Sequence, residues 1–389
     1  MNILLLTYSY LPALGGVERS VFNLATLLSK RGHRVFVVTH RPSWFPLSVR
    51  KDEGLWVLRL NIPSQFRHDR RDRVERLLFD AVNRFVLTAM CRVLRVQTVH
   101  CHLINVDTRY AESIARRTGA RVIVTLRGGE TEHWITGRAD RHEYVAQVLR
   151  SADSVTGVAQ SLLDQAEAIA PGVLAKSRVV RNPVFLETSL GTSRDVSSGE
   201  IEEPYCLFAG RLAEMKDAAC LIRAFHEVLR ADPAFRLKLL VAGDGELKAE
   251  IEQVAQTGPA CHQIQFVGRQ NHEGTLRLIG DAEFLILPSC SSEGCPNVIL
   301  EAMALETPVI VSSLPALKEL VQDGVSGSVF PVGDHVELAA AIRGLAGDVD
   351  RRRRYAQAGL QVLATRHQPG QIVDIYEEIY RSAEAIRRS

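Results

Sequence analysis

Two domains of alternating strand and helix, each on a parallel sheet, are what this sequence predicts. Three observations carry that reading. The chain has 389 residues, more than one ordinary domain of ~150. Short apolar runs alternate with amphipathic stretches from start to finish. The alternation stops once, in a Ser- and Gly-punctuated stretch between Val184 and Pro204, which reads as a linker.

Taken in order, residues 3–7 read as a strand, 17–30 as a helix and 35–39 as the next strand. Further strands are expected at 55–60, 98–102, 122–126, 154–158 and 177–181. After the linker, strands are expected at 205–209, 237–242, 264–267, 284–287, 309–311 and 328–330, with helices at 218–229 and 247–256 among those between. The expected division is 1–185 for the first domain, 186–203 for the linker and 204–370 for the second domain. The last segment, about 371–389, reads as an amphipathic helix that returns to brace the first domain. Ligands in such sheets bind beyond the C-terminal strand ends, and two domains would set those ends across a cleft.

Composition narrows the function. An apolar share of 46% and a charged share of 24% are those of an ordinary globular protein. No run approaches the ~18 uninterrupted apolar residues needed to span a bilayer. The apolar N-terminus lacks a basic leader and a cleavage site, so it reads as a first strand. Seven scattered cysteines argue against a disulfide framework and for a reducing cytosol. Cys290 and Cys295 have no nearby histidine, which is poor zinc geometry. Net charge is +2, yet residues 1–185 hold 27 Lys/Arg against 16 Asp/Glu, and residues 186–389 hold 20 against 29. A basic half could face anionic lipid or an acidic substrate. The densest basic stretch, 67–76, mixes signs as a solvated helix face does. No aromatic interleaving supports nucleic-acid stacking.

The segment Pro288-Ser289-Cys290-Ser291-Ser292-Glu293-Gly294-Cys295-Pro296-Asn297-Val298-Ile299-Leu300-Glu301 is the most informative. It reads as a strand end, a Gly/Pro loop and a helix opening, a geometry that aims backbone N–H groups at an anion. Its two carboxylates can each accept paired hydroxyls, which suits a ribose or a hexose. Arg211 and Lys216 follow the strand 205–209 and suit a diphosphate, one as a fork and one as a point charge. The glycine loops Gly243-Asp244-Gly245-Glu246 and Val267-Gly268-Arg269 follow two more strands on the same edge. In the first domain Gly15-Gly16 lies between strand and helix, where backbone amides can approach a ligand. It is not a G-x-G-x-x-G fingerprint, which argues against a dinucleotide oxidoreductase. Each feature alone has an ordinary alternative, a turn or a solvated charge; their convergence on one edge is the argument.

This ordered set, Gly15-Gly16-Val17-Glu18, Gly210-Arg211 with Lys216, Gly243-Asp244-Gly245-Glu246, Phe266-Val267-Gly268 and Pro288-Ser289 … Glu293-Gly294-Cys295-Pro296 … Glu301-Ala302, resembles retaining glycosyltransferases of family 4. The resemblance spans residues 1 to about 340. It implies the GT-B fold, two Rossmann-like doubly wound domains facing across a cleft. It implies that Arg211 and Lys216 bind the donor diphosphate and stabilise the leaving group. Glu301 would hold the ribose hydroxyls. Glu293 would lie near the transferred sugar, with the backbone of Gly294, Cys295, Pro296, Asn297 and Val298 around its hydroxyls. Gly15 and Gly16 would cover the phosphates, Gly243 would join the donor site and Val267 would line the base. No cofactor and no metal are expected, since the cations and helix dipole would replace one. The Asp348-Val349-Asp350 match to a D-x-D metal pattern lies far from these loops and is dismissed.

The implied reaction moves a hexose-type sugar from a nucleotide-diphosphate sugar, UDP- rather than GDP-linked, to a hydroxyl acceptor with retention. The setting would be lipopolysaccharide, exopolysaccharide or glycolipid assembly. The acceptor would be a saccharide or lipid-linked saccharide, reached by a cytoplasmic enzyme in peripheral contact with an anionic membrane; no nucleic-acid partner is expected. Two departures stand out. Relatives often carry His where this chain has Arg127, followed by Gly128-Gly129-Glu130. Arginine cannot act as a base but could bind an acidic acceptor. His102, Glu130 and His133 are the other acceptor-side candidates. Glu306 stands where relatives often have Gly. Alternatives are a nucleotide-sugar epimerase or phosphorylase on the same fold, or a non-catalytic sugar-binding subunit.

Overall fold

The computed structural model describes residues 1–13, 15–41, 47–52, 54–63, 72–131, 135–184, 203–291 and 293–385, with 72–76 and 383–385 described as backbone only. The chain forms two compact units, Met1–Pro183 with Pro369–Ser389, and Val184–Gln368. Apart from residue 203, the expected linker 186–203 lies outside the described residues.

Unit 1 carries strands β1 (Asn2–Thr7), β2 (Arg34–His40), β3 (Leu47–Asp52), β4 (Leu55–Leu60), β5 (Thr98–His102), β6 (Arg121–Leu126), β7 (Ser154–Gly157) and β8 (Ser177–Val179). Between them run helices α1 (Gly16–Lys30), α2 (Asp72–Val93), α3 (Arg109–Thr118), α4 (Ala139–Ser151) and α5 (Gln160–Ile169). Unit 2 carries β9 (Tyr205–Ala209), β10 (Lys238–Ala242), β11 (Ile264–Gly268), β12 (Phe284–Leu287), β13 (Val309–Ser312) and β14 (Ser328–Phe330). Its helices are α6 (Ala218–Ala231), α7 (Lys248–Gln256), α8 (His272–Gly280), α9 (Asn297–Ala304), α10 (Pro315–Leu320), α11 (His335–Ala346) and α12 (Val349–Arg366). The last helix, α13 (Pro369–Ala385), belongs to unit 1.

The strand order is β3-β4-β2-β1-β5-β6-β7-β8 in unit 1 and β11-β10-β9-β12-β13-β14 in unit 2. All pairs are parallel except β3 with β4. Each sheet therefore starts in its middle, winds outward to one side and then crosses back to the other. The reversal falls between β1 and β5 and between β9 and β12, where loops leave the sheet in opposite directions and open a ligand crevice. Strands β5, β6, β9, β12 and β13 are buried at every residue. This is why they read as continuous apolar runs, as parallel strands covered on both faces do.

β3 was not expected from the sequence. Its Leu-Ser-Val-Arg-Lys-Asp run is almost wholly exposed. It takes its order from the outer edge of β4, and Arg50 and Lys51 at that edge discourage further strand addition. In the turn after α9, Glu306 has φ 58. This left-handed turn just past α9 favours glycine, which explains why a glycine there would be the easier choice.

Helix α13 completes the core of unit 1. Ile372, Val373, Tyr376, Ile379 and Tyr380 pack with Ile3, Leu5, Leu24 and Val37. Arg31 pairs with Asp374 at 2.8 Å and His33 with Glu377 at 3.0 Å. Under this helix lies a buried polar chain: His100 Nδ1 bonds the Tyr380 hydroxyl at 2.7 Å, and His100 Nε2 bonds Thr125 Oγ1 at 2.6 Å. Burial, and then the Arg127 charge, push His100 down to about 3, so the ring is a neutral structural group. Tyr380→Phe removes a partner of a fully buried ring nitrogen. Leaving such a group unpaired costs about 1–3 kcal/mol, so urea unfolding of Tyr380→Phe should show a loss of that size.

Candidate active site

In unit 2 the crevice falls where β9 and β12 diverge. Lys216 arrives on the short 3-10 turn Glu214–Lys216 after β9, and Glu293 on the loop after β12. Lys216 Nζ contacts Glu293 Oε1, with side chains only 19% and 7% exposed. The Ser289 hydroxyl donates to the same carboxylate oxygen at 2.5 Å. Ser289 is itself held by Ser312 at the end of β13, whose hydroxyl donates to the Ser289 carbonyl at 2.5 Å. The two loops are also tied by backbone, since Cys290 N–H donates to the Met215 carbonyl at 2.9 Å. Glu293 is thus fixed from both neighbouring strands of β12.

Arg211 is held differently. It pairs with Glu246 at 3.0 Å, with side chains 70% and 53% exposed. An exposed pair of this kind contributes ~0–1 kcal/mol, so the guanidinium is readily drawn to an anion. The loop beneath it is rigid. Leu212 N–H donates to the Asp244 carbonyl and Leu247 N–H to the Leu212 carbonyl, both at 3.0 Å. This close approach explains two glycines. A Cβ on Gly243 would lie 1.9 Å from the Gly210 oxygen, and one on Gly245 would lie 2.3 Å from the Leu212 oxygen.

Helix α9 opens at Asn297, with Pro296 as its N-cap residue and no side-chain cap. A first helical turn leaves N–H groups outside its own ladder and carries the positive end of the dipole. Val298 is partly exposed in that turn and Cys295 is buried before it. Glu301, one turn further in, lies 3.9 Å from His272 Nδ1 at the start of α8. Val267 is the last residue but one of β11, and its carbonyl accepts from the Gln270 amide at 2.7 Å. The structure therefore gathers Lys216, Glu293 and the α9 opening at the reversal and sets Arg211 and Gly243 on the adjoining strand ends. Asp348 serves a different purpose: its carboxylate caps α12 by accepting from Arg351 N–H at 2.8 Å. Among the described residues no cluster of His, Cys, Asp and Glu could hold a metal.

In unit 1, Gly15 and Gly16 follow β1 and open α1. A Cβ on Gly16 would meet nothing within 4 Å, so the fold alone does not require glycine there. His102 and Arg127 end β5 and follow β6. Arg127 donates to His102 Nδ1 at 2.9 Å and to Asn182 Oδ1 at 2.8 Å. Its backbone N–H donates to Glu130 Oε1 at 2.5 Å. His102 is fully buried, and burial, with His100 and Arg127, holds it well below the usual imidazole range. It serves as a neutral acceptor that orients Arg127, rather than as a free imidazole at the surface. Glu130 is 1% exposed, and burial raises it to about 8. Its carboxyl anchors the Arg127 turn. His133 lies outside the described residues.

Ser312 and Asn182 are not singled out by the sequence, and Ser289 and Glu246 lie inside quoted motifs without a role. Nothing local marks Ser312 or Asn182: Ser312 meets Ser289 because β13 lies beside β12, and Asn182, past β8, meets Arg127 across β7. Glu246 does follow a strand end in a glycine loop, the same signal that marked Gly243.

Two family models match this chain. One, described as Glycosyltransferase Family 4, matches residues 14–188. The other, described as Glycosyl transferases group 1, matches residues 203–348. The chain belongs to glycosyltransferase family 4. It is an enzyme of the glycosyltransferase class, with the GT-B pair of Rossmann-like units. It is 27% identical over 405 aligned positions to glycogen synthase of Mycobacterium tuberculosis, covering 99% of this chain and 95% of that protein. It is 27% identical over 374 positions to alpha-monoglucosyldiacylglycerol synthase of Streptococcus pneumoniae, covering 88% and 77%. Among solved structures, Anabaena HepE in complex with UDP-glucose is similar with a TM-score of 0.77 and 16% identity, over 99% of this chain and 100% of that one.

Two outcomes test the site geometry. A double-mutant cycle of Lys216→Met and Glu293→Gln, read by urea unfolding, should give a coupling of about 0.5–3 kcal/mol, as for contacting groups in one network. The second concerns pH. Glu130 is raised from 4.5 to about 8 and Asp107 from 3.8 to about 7, both chiefly by burial. The folded state keeps protons that the unfolded state releases, so their stabilisation is full at low pH and lost as pH rises toward those values. His100, lowered from 6.5 to about 3, has the opposite sign and contributes no slope above 6.5. Thermal stability should therefore fall between pH 7 and 8, and Glu130→Gln should flatten that fall.

Proposed function

We propose that this glycosyltransferase moves a hexose-type sugar from a nucleoside-diphosphate sugar to a hydroxyl acceptor, with retention at the anomeric carbon. The observation that carries the reading is the Lys216–Glu293 contact across the reversal between β9 and β12. It sets a cation, a carboxylate and a helix N-terminus around one point, as a diphosphate joined to a sugar requires.

In this reading Lys216 meets the diphosphate from a fixed position, because Glu293 already orients its ammonium. Arg211 leaves its exposed partner Glu246 and joins when the anion binds. The two cations and the first-turn amides of α9 stabilise the charge that grows on the leaving phosphate as the sugar–oxygen bond breaks. Glu301 accepts ribose hydroxyls, and Glu293, held by Ser289, faces the transferred sugar. Val267 borders the base. Arg127, aimed by His102 and Asn182, stands on the acceptor side, where a guanidinium suits an acceptor that carries negative charge.

UDP is the nucleotide we carry forward, supported by the UDP-glucose in the similar HepE structure. The acceptor class is a saccharide or lipid-linked saccharide, supported by relatives named for glycogen and for a glucosyldiacylglycerol. The basic charge of the first half of the chain supports peripheral contact with an anionic membrane at its cytoplasmic face. No helix among the described residues is long and apolar enough to cross a membrane.

Arg211→Ala, Lys216→Ala and Glu293→Gln should each lower kcat/KM by about 10²–10³, the scale of losing one stabilising group at a developing charge. UDP release from UDP-sugars in the presence of a saccharide acceptor panel is the measurement, and near wild-type rates in all three would sink the assignment. UDP should also raise thermal stability by about 2.7 kcal/mol at a hundredfold excess over Kd, with less effect from GDP.

A further inference from the structure

Five of the thirteen large apolar side chains exposed among the described residues sit on one helix of unit 1, α2: Leu77, Leu78, Val82, Phe85 and Val93. Phe85 is 76% exposed and Leu78 63%. At about 100° per residue, Leu77, Leu78, Val82 and Phe85 share an arc of about 140° over two turns and more. The opposite face is already satisfied. Leu87 and Cys91 are buried, Asn83 bonds Tyr110 at 3.2 Å and Asp80 pairs with Arg109 at 2.8 Å on α3. A helix that buries one face and turns large apolar groups outward on the other presents the kind of patch that marks an interaction surface.

The surrounding charge says which kind. Unit 1 carries 30 Lys/Arg against 20 Asp/Glu, a net of +10, whereas unit 2 carries 17 against 25. Asp80 is the one carboxylate among the described side chains of α2, and Arg84 and Arg109 hold it at 2.8 Å. Arg92 and Arg95, at the end of the same helix and just beyond it, are exposed. Apolar groups flanked by arginines, with no uncompensated acid among the described side chains of the helix, fit the boundary of an anionic bilayer, where the apolar side chains enter the acyl region and the arginines meet headgroup phosphates.

We propose that the outward face of α2 is the surface by which this enzyme lies on an anionic membrane. The proposal gives a location to the peripheral contact in the functional reading and rests on that reading for its purpose, but not for its test. Binding occurs with α2 parallel to the membrane plane, and Phe85, Leu77 and Leu78 are the inserting anchors.

The test is co-sedimentation of the full chain with vesicles of equal parts phosphatidylglycerol and phosphatidylcholine, against vesicles of phosphatidylcholine alone. Wild type should pellet with the anionic vesicles at low salt and less at high salt, since exposed charges are screened. The Leu77→Ser/Leu78→Ser/Phe85→Ser variant should lose about tenfold or more of that binding, with its UDP-induced thermal shift unchanged. Phe85→Ser alone carries the same comparison should the triple variant not fold. No pelleting of wild type, or equal pelleting of variant and wild type, overturns the proposal. So does a wild-type dimer in sedimentation equilibrium that the triple substitution dissolves, which would assign the face to a second copy of the chain. Absence of any UDP response in wild type would count against the functional reading and leave this surface standing.

Discussion

β9 and β12 lie side by side although two strands and three helices come between them in the chain. The site of unit 2 depends on that adjacency. Because the chain winds outward through β10 and β11 before crossing back, the loops after β9 and β12 leave the sheet in opposite directions. The space they vacate is bordered by a short turn on one side and a helix N-terminus on the other. Lys216 and Glu293, 77 residues apart, meet there and nowhere else on the sheet could they do so. Ser289 and Ser312 then hold the carboxylate from behind, so that the pair is oriented before any ligand arrives. A cation fixed in advance needs no reorganisation when charge develops near it, which is where preorganised sites draw most of their effect.

Unit 1 repeats the winding but uses its strand ends differently. Its buried polar groups run from Tyr380 through His100 and Thr125, with the Thr156 hydroxyl 2.6 Å further on. In so dry a setting an imidazole stays neutral, and a neutral His102 can accept from a guanidinium. That is how Arg127 comes to be aimed at the strand edge by a histidine rather than replaced by one. α13 makes this possible by supplying the tyrosines that close the network, so the last helix of the chain bears on the chemistry of the first unit.

Much of this was legible in the sequence for a simple reason. Parallel strands buried on both faces must be apolar throughout, so β5, β6, β9, β12 and β13 announce themselves as runs. Loops that approach a backbone closely must contain glycine, and Gly243 and Gly245 do so because carbonyl oxygens occupy the space a Cβ would need. β3 lacked any such constraint. It is an exposed edge strand ordered by its neighbour, and its side chains carry no pattern. Similarly, His102 is an acceptor-side candidate in sequence and a buried hydrogen-bond partner of Arg127 in space, because burial depends on what packs above β5 and not on residues beside it.

The sequence by itself determined the two doubly wound units and the edge of each sheet on which the functional loops gather, since these follow from periodicity and from local backbone demands; its ordered motifs carry the resemblance to the family. Only the tertiary structure decided which charges touch. Lys216 with Glu293, Arg211 with Glu246 and Arg127 with His102 and Asn182 are pairings between strands or loops distant in sequence, and electrostatic partnership is set by distance in space. The same holds for α2. Its apolar residues are visible in sequence, but that they face outward was decided by α3 occupying the other side.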